Sequence, residues 1–547
     1  MSDVLRARSD SLTALSGRSF DLLVIGGGIT GCAIARDAAL RGLAVALVEK
    51  NDFASGTSSR SSRLIHGGVR YLEHGHIHLV FESSAERHRL LRLAPHLVRP
   101  LAFTWPVYAG ARIPRWKLGA GLLLYDALAL FRNVERHKRL SRSAVLASEP
   151  NLRTEGLVGG ARYFDAATND ARLTLANAVG AIEAGAVVLN HASVTALLKH
   201  DGKIAGATIR DDVQQTLIDV RANVVVNATG PWSDAIRALD SKHDERVTSA
   251  TRGSKGAHIA VPRERVGNRH ALTLLSLTDQ RVFFVLPADE HAIIGTTDTY
   301  SPASPDGVRA TNDDVRYLLA SANEFFPAAK LGDEDVVSAW AGIRPLLPAA
   351  SETPGGVTRE HAVTTSESGL VTISGGKLTT FRVMAHDVLA VVLRELGMTG
   401  SVDRTESLPL PGGDFSSLDE LIAKIDDATG EPSLARRLAA SYGARWQAVW
   451  SSIQDGDGAT RIVPELPYTL GEMRYCVARE MAMTLGDLMI RRTHLAFETR
   501  DHGIGAAPRV AAAIAPLLGW DGNAQHRAIE SYEREAKNIF RIDPLST

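Results

Sequence analysis

Histidine, arginine and lysine side chains beside glycine pairs are the residues of this sequence best suited to chemistry. His66 precedes Gly67-Gly68, Arg70 and Tyr71 follow that pair, and Lys377 follows a second pair. A histidine can take up a hydroxyl proton near neutral pH, whereas arginine and lysine bind anionic groups. A tyrosine hydroxyl can hold a substrate by a hydrogen bond. The pattern indicates a site that can remove a proton and bind an anion.

Two further candidates lie in apolar surroundings. Arg344 stands in GIRPLLP (342 to 348), where an unpaired guanidinium would be costly, so it either binds an anionic ligand or forms a buried structural ion pair. His258, in GAHIAV, is the second candidate for the base, although His258 or His66 could instead satisfy a backbone carbonyl. An exposed loop arginine is the alternative for Arg70. Neither H-E-x-x-H nor C-x-x-C occurs, and we predict no metal site.

A glycine-rich turn between an apolar run and a helical stretch predicts dinucleotide binding. Gly26, Gly28 and Gly31 form G-x-G-x-x-G: the first permits the turn, the second lets a pyrophosphate approach, and the third packs helix on strand. A second apolar run ends at Glu49, 23 residues beyond Gly26, where a carboxylate accepts the ribose hydroxyls of an adenosine. The alternative is a chance glycine turn in an α/β sheet.

Two later segments extend this site. The hydroxyl-rich stretch 56 to 71 contains Thr57, Ser58 and Ser62, and it can line more pyrophosphate and then a ring, which favours FAD over NAD. The turn Gly375-Gly376-Lys377 leads into a helix predicted from Thr379 to about Leu396, capped by Thr379 or Thr380. Main-chain donors and a helix N-terminus at this point suit the charge that develops on a reduced flavin.

Composition excludes several classes of protein. The 547 residues are 45% hydrophobic and 22% charged, as in soluble globular proteins, and a net charge of −1 argues against a nucleic-acid partner. The two cysteines, Cys32 and Cys476, are too few for a disulfide framework and fit a reducing cytoplasm. No run predicts a membrane-spanning helix. Residues 119 to 131, preceded by basic residues and Trp116, favour a half-buried surface helix, with a membrane interface as the alternative.

Six ordered motifs resemble one family, the FAD-dependent glycerol-3-phosphate dehydrogenases. They are VIGGGITGCAIARDAALRGL, GTSSRSSRLIHGGVRYLE, NATGPW, IIGTTDT, GIRPLLP and SGGKLTTFR. The resemblance extends from about residue 20 to 495, and one departure is Asn169, where the family usually carries a second acid. It implies oxidation of sn-glycerol 3-phosphate to dihydroxyacetone phosphate by hydride transfer to flavin N5, with electrons passed to a membrane quinone. A cytoplasmic protein attached peripherally to the inner face of the membrane is also implied, and a homodimer is allowed.

The expected fold is α/β, with an FAD-binding Rossmann-like domain of the D-amino-acid-oxidase and glutathione-reductase type. The resemblance implies that this domain, residues 19 to 400, is discontinuous and interrupted by an antiparallel substrate cap, placed mainly around 245 to 340 by short apolar runs. We predict a disordered tail over residues 1 to 18, a linker over 401 to 415 and a helical domain over 416 to 547. In the helical domain, Arg491 and Arg492 are expected on a solvated face.

The candidate residues form one predicted site. The catalytic candidates are His66, Arg70, Arg344 and Lys377, and the substrate-binding candidates are Arg70, Tyr71, His258, Arg344 and Lys377. Predicted cofactor contacts are Gly26, Gly28, Gly31, Glu49, Thr57, Ser58, Ser62, Val194, Gly230, Gly376, Leu378 and Thr379. Alternative functions are an oxygen-using glycerol-3-phosphate oxidase, a related amine or amino-acid oxidase, and a flavin-binding module without turnover.

Overall fold

The apolar run before Gly26 forms the strand Ser19–Ile25 at the centre of a sheet. A computed structural model describes residues 3–241, 252–301, 304–347 and 359–544. The central strand pairs in parallel with Val45–Val48 and with Thr216–Asn227. The other strands of this sheet, the dinucleotide sheet, are Val187–Leu189, Ala192–His200, Lys203–Asp211, His361–Thr365 and Val371–Gly375. Parallel strands from distant parts of the chain therefore end at one edge, where a cofactor can bind.

Three helices cover one face of the dinucleotide sheet: Ile29–Leu40, Asp170–Glu183 and Phe381–Glu395. Cys32 lies in this core and is fully buried. Asn169, the departure from the family pattern, caps the second helix because its side chain accepts a hydrogen bond from the Arg172 N–H at 3.0 Å.

A second, mainly antiparallel sheet forms the cap. The predicted strands Arg252–Pro262, Val282–Ala288 and His291–Gly295 pair antiparallel. The remaining strands are Leu64–Ile65, Val98–Tyr108, Lys138–Leu140, Leu157–Thr168, Ala271–Leu275, Thr299–Tyr300 and Ser338–Leu346. Placing the cap mainly at 245 to 340 was too narrow, because strands from residues 64 to 168 belong to the same sheet. Residues 245–251 of that range lie outside the described part.

The prediction of a disordered N-terminal tail is wrong for the residues that the structure describes. Residues Asp3–Gly17 form a helix whose Leu12 and Leu15 are buried in a core shared with the dinucleotide sheet. Arg8 is also buried, and its guanidinium pairs with Asp211 at 2.5 Å. These contacts stabilise the helix through residues about 200 positions away, which a local pattern cannot show.

The C-terminal part, from Leu418 onward, is built from helices. They are Leu418–Thr429, Pro432–Tyr442, Trp446–Gln454, Leu470–Arg479, Leu495–Glu498, Ala507–Leu518 and Gly522–Phe540, with a π-helix at Asp487–Arg492. The preceding segment 401–415 packs along the dinucleotide-binding part, since Arg36 donates to the Leu408 and Pro409 carbonyls at 3.0 and 3.1 Å. The segment is thus fixed in position.

Other helices connect the two sheets and cover the cap. They are Ile77–Leu93, Arg115–Leu128, Arg142–Ser148, Ser233–Asp240, Arg263–Val266 and Asn312–Phe325. Among the described residues, none of the helices combines the length and the apolar character needed to cross a bilayer.

Candidate active site

The glycine fingerprint borders a cavity of about 560 Å³, which we call the large cavity. Gly26 has φ 111°, and Gly28 precedes the helix Ile29–Leu40, which has no acid in its first turn and whose first N–H, that of Ile29, donates to the Ser58 hydroxyl at 3.0 Å. A helix N-terminus beside a glycine turn suits a pyrophosphate. Eleven of the predicted cofactor residues line this cavity: Gly26, Gly28, Glu49, Thr57, Ser58, Ser62, Val194, Gly230, Gly376, Leu378 and Thr379.

Gly31 does not line the large cavity, so its prediction as a direct cofactor contact is wrong. A Cβ at Gly31 would lie 1.9 Å from the Gly26 carbonyl oxygen, a distance that the backbone cannot accommodate without moving. The glycine instead allows the helix to approach the strand, the packing role that the fingerprint predicts for its third glycine.

Glu49 stands at the end of the second strand, as predicted. Its carboxylate accepts hydrogen bonds from the Gly27 N–H at 2.6 Å and the Asn51 N–H at 2.8 Å. Burial raises the pKa of Glu49, and these two backbone donors oppose that shift. The side chain is thereby held at the wall of the large cavity, with lone pairs left to accept from a sugar hydroxyl.

The glycine turn at the other end of the cavity fixes the loop that carries His66. Gly375 and Gly376 have φ 80° and 89°, values that favour glycine. The Thr379 hydroxyl bonds both the N–H and the carbonyl of His66 at 3.2 Å. Thr380, one of the two predicted capping residues, is the N-cap of the helix Phe381–Glu395, but its side chain makes no cap bond.

A second cavity of about 140 Å³, the small cavity, adjoins the large one. His66, Tyr71 and Arg344 line both cavities, whereas Arg70 lines only the small one. Lys377 and His258 line only the large one. The structure thus gathers all six predicted catalytic and substrate-binding residues around two adjoining spaces.

Arginines dominate the small cavity. Arg344 pairs with Asp298 at 3.2 Å, and its Nη2 atom donates a hydrogen bond to the Thr296 hydroxyl oxygen at 3.0 Å. Arg359 shares the same carboxylate at 3.4 Å, while Arg70 has no ion-pair partner among the described residues. Burial, with Arg359 and Arg70 nearby, lowers the pKa of Arg344 to about 10 despite Asp298. This excess of positive charge favours a dianion.

Sequence reasoning missed Arg359. A signal was present in the sequence, because the pair Gly355-Gly356 stands three residues before Arg359, much as Gly67-Gly68 stands before Arg70. The side chain is 6% exposed and lines both cavities. The fold identifies its role, because it places Arg359 and Arg344 on one carboxylate, Asp298.

Of the two candidate bases, His258 is buried and His66 is half-buried, and both are neutral at pH 7. Burial, together with the nearby Lys377 ammonium, lowers the pKa of His66 to about 4. Burial and the Arg344 guanidinium lower the pKa of His258 to about 3. His258 Nε2 lies 2.8 Å from the Ser62 hydroxyl, and its Nδ1 has no hydrogen-bond partner among the described residues. A neutral imidazole can accept a proton, as a general base must.

Lys377 also lies in a position that disfavours its charge. Burial is the main reason that the pKa of its ammonium falls to about 7, while Glu82 and Asp165 oppose the shift. The Nζ atom contacts the Ser83 hydroxyl and lies 4.7 Å from the centre of the Tyr71 ring. A nearby anion would restore its positive charge.

Asp165, a buried carboxylate that the sequence did not indicate, fixes the loop that carries His66. Asp165 accepts from the Gly67 N–H at 3.0 Å and from the Tyr125 hydroxyl at 2.6 Å. It also pairs with the Arg87 guanidinium. Gly67 has no room for a side chain here, because a Cβ would lie 2.3 Å from the Tyr125 oxygen.

Comparison with known proteins agrees with this geometry. Residues 21–382 match the model of a family described as FAD dependent oxidoreductase, and residues 403–525 match the C-terminal domain of alpha-glycerophosphate oxidase. A glycerol-3-phosphate dehydrogenase of Mycobacterium leprae is 39% identical over 96% of this chain and 90% of its own. The chain belongs to the FAD-dependent glycerol-3-phosphate dehydrogenase family. The human mitochondrial member is 37% identical over 95% of this chain and 73% of its own.

Solved structures of this family and its neighbours support the fold. The Bacillus halodurans glycerol-3-phosphate dehydrogenase, complexed with FAD, has a TM-score of 0.81 and 32% identity, covering 99% of both chains. The Mycoplasma pneumoniae L-alpha-glycerophosphate oxidase has a TM-score of 0.54 and 17% identity over 71% of this chain and 98% of its own, a likeness of fold alone. The cofactor of this dehydrogenase family is FAD, and the large cavity is bordered by a helix N-terminus and glycine turns that suit its pyrophosphate.

Proposed function

We propose that this dehydrogenase oxidises sn-glycerol 3-phosphate at C2 and yields dihydroxyacetone phosphate. The observation that carries the proposal is the small cavity, where Arg344 and Arg359 share one carboxylate, Asp298, and Arg70 lines the same cavity as a third cation. A small phosphate dianion compensates this charge, whereas an amine substrate would add to it. The small cavity adjoins the large one, so a bound substrate would lie beside the cofactor.

The reaction assigns a task to each group. Bound FAD supplies the hydride acceptor at N5. Arg70, Arg344 and Arg359 hold the phosphate, and Tyr71 and Lys377 orient the glycerol part. His66 takes the hydroxyl proton, because it lines both cavities and is neutral before substrate binds. Burial and the nearby cations keep the pKa of His66 low. The negative charge of the bound substrate offsets those cations, so His66 accepts the proton more readily in the complex.

His258 is the alternative base. A pair of single variants distinguishes the two histidines, His66→Asn and His258→Asn, with the rate of flavin reduction measured against pH. Loss of the acidic limb of the profile only in His66→Asn supports our assignment. Loss only in His258→Asn transfers the role to His258.

Anaerobic addition of glycerol 3-phosphate to the purified yellow protein tests the substrate assignment. We expect the flavin absorbance to bleach, and glycerol, which lacks the phosphate, to bleach it far more slowly. If glycerol 3-phosphate does not bleach the flavin, the substrate assignment is wrong, and the protein is a flavin-binding module without turnover.

We propose further that a membrane quinone reoxidises the reduced enzyme. Adding a soluble quinone or oxygen separately to the bleached protein distinguishes the acceptors. Rapid recolouring by quinone supports a dehydrogenase. Rapid recolouring by oxygen would assign an oxidase, the activity in the name of the family model that the C-terminal part matches.

An exposed apolar surface ringed by basic residues supports peripheral attachment to the cytoplasmic membrane face. On and just after the helix Arg115–Leu128, Trp116 is 72% exposed and Leu123 57%. The other exposed apolar residues are Leu124, Leu130 and Phe131, and the basic residues are Arg112, Arg115, Lys117, Arg132 and Arg136. Apolar side chains flanked by cations suit anionic lipid surfaces.

Flotation with anionic liposomes tests this surface. Leu123→Glu should reduce the bound fraction at least tenfold, because a carboxylate would enter the lipid interface. Leu217→Glu is the matched control, since Leu217 is 64% exposed on a hairpin of the dinucleotide sheet. Equal binding of both variants would exclude this surface.

A further inference from the structure

Asp52 is a fully buried carboxylate three residues beyond Glu49, and the C-terminal helices neutralise it. Its Oδ2 atom accepts from Arg491 Nε at 2.8 Å and from Arg492 Nη1 at 2.6 Å. Its Oδ1 atom accepts from Arg492 Nη2 at 2.9 Å and from Asn190 Nδ2 at 3.0 Å. Two guanidinium groups about 440 positions away therefore bind a single side chain of the dinucleotide-binding part. The sequence-based expectation that Arg491 and Arg492 face solvent is wrong.

The segment that contains Asp52 is packed under the glycine fingerprint. The Ala54 N–H donates to the Gly27 carbonyl at 3.0 Å, and the Ser55 N–H donates to the Asp52 carbonyl at 3.1 Å. Phe53 lies so close to the fingerprint that a Cβ at Gly27 would be 2.9 Å from its ring. Any displacement of Asp52 would consequently move the wall of the large cavity.

A second contact links the same segment to the C-terminal part. Asp487 accepts from His191 Nε2 at 2.9 Å and from Arg491 Nη2 at 2.8 Å. The backbone of the turn that carries His191 donates to the Asn51 carbonyl at 2.6 Å and, through the Ala192 N–H, to the Glu49 carbonyl at 2.8 Å. The π-helix Asp487–Arg492 thus holds both segments that border the Glu49 side chain.

We name Asp52, His191, Asp487, Arg491 and Arg492 the buried ion cluster. One ligand atom from each of Asp52, His191 and Asp487 lies within 4.8 Å of the others, a spacing that a metal ion could use. The guanidinium groups already occupy the carboxylate lone pairs at hydrogen-bond distance, so the cluster is an ion-pair network. Breaking such a buried pair is strongly unfavourable, because it leaves an uncompensated charge.

We propose that the C-terminal helices control the retention of FAD through the buried ion cluster. The proposal deepens the proposed function and rests on the placement of the adenosine ribose at Glu49. FAD leaves only when the segment 49–55 opens, and opening requires the contacts of Asp52 with Arg491 and Arg492 to break. The docked helices thereby also raise the equilibrium affinity for FAD, and because coupling between two binding equilibria is reciprocal, bound FAD stabilises the docking of the C-terminal helices by the factor by which docking raises that affinity.

The test is the rate of FAD release from the holoenzyme, followed by the rise in flavin fluorescence. Asp52→Asn keeps the side-chain shape but removes the charge, and we expect FAD release to be 10- to 100-fold faster. Glu183→Gln is the matched control, because Glu183 and Arg445 form an exposed ion pair between the same two parts at 2.6 Å. It should release FAD at the wild-type rate.

A folded Asp52→Asn enzyme with unchanged FAD release would overturn the proposal. Should this variant not fold, hydrogen exchange of the wild-type π-helix Asp487–Arg492 gives an independent result. We expect exchange there to slow at least tenfold when FAD is bound, and equal exchange in the apoprotein and holoenzyme would also overturn the proposal. Neither readout requires turnover, so failure of the glycerol 3-phosphate assignment leaves both interpretable.

Discussion

Replacing Arg344 perturbs the proposed phosphate site with little effect on the rest of the enzyme. Its side chain is 27% exposed, so truncation removes little packing, and Asp298 keeps its contacts with Arg359 and the Ser254 hydroxyl. Arg344→Ala should therefore fold and retain FAD. The yellow colour of the purified variant reports both properties.

The expected loss follows from the contacts that the guanidinium offers. A charge-assisted hydrogen bond contributes about 1.5 to 3 kcal/mol, and a bidentate contact offers two. Removing Arg344 also relieves its repulsion with Arg359 and Arg70, which offsets part of the loss. We expect a net cost of about 3 kcal/mol, or roughly a hundredfold in kcat/KM. Arg344→Lys keeps a positive charge but loses the planar guanidinium that can donate two parallel hydrogen bonds, so its kcat/KM should fall about tenfold.

Steady-state kinetics with an artificial electron acceptor measures these losses. The control is Arg210→Ala, which removes an exposed arginine paired with Asp212 at 2.6 Å on a hairpin of the dinucleotide sheet. It should retain wild-type kinetics. If Arg344→Ala stays within twofold of wild type in kcat/KM, Arg344 does not bind the phosphate and the cation argument fails.

Two further predictions concern the fingerprint and a buried histidine. Gly31→Ala should lower thermal stability by about 1 to 3 kcal/mol and weaken FAD binding, because its Cβ would meet the Gly26 carbonyl at 1.9 Å. Gly17→Ala is the control, because its Cβ would meet no atom within 4 Å. If calorimetry finds the two variants equally stable, the packing role of Gly31 is contradicted. The lowered pKa of His258, about 3, means that the unfolded state takes up the proton first as pH falls below about 6.5. The free energy of unfolding should thus fall by up to about 2 kcal/mol between pH 7 and pH 5. In denaturant unfolding, His258→Gln should lack this part of the pH dependence. The same pH dependence in wild type and variant would contradict the prediction.

The sequence predicts those features of the site that neighbouring residues in the chain determine. Gly26, Gly28 and Glu49 could be identified because a turn, a helix start and a strand end must follow one another at fixed spacing. The loop at His66 and the turn before Lys377 were found for a similar reason, since glycine pairs beside charged residues stand out in one segment. All of them line the large cavity.

Features that depend on distant partners were missed or predicted wrongly. Arg491 and Arg492 read as solvated arginines because Asp52, their partner, lies about 440 positions earlier. Arg8 keeps the N-terminal helix in place through Asp211 for the same reason. Arg359 follows the glycine pair Gly355-Gly356, but its partner Asp298 lies about 60 positions earlier. In each case the charge is buried by long-range pairing, which only the fold reveals.

Glycerol 3-phosphate deuterated at C2 tests the central claim, that these cations place C2 of the substrate beside the flavin. In an anaerobic single-turnover experiment, we predict that the unlabelled substrate bleaches the flavin at a saturable rate and that the deuterated substrate bleaches it several times more slowly. Equal rates with both substrates would contradict rate-limiting hydride transfer from C2, and a flavin that stays oxidised with either would contradict the whole account.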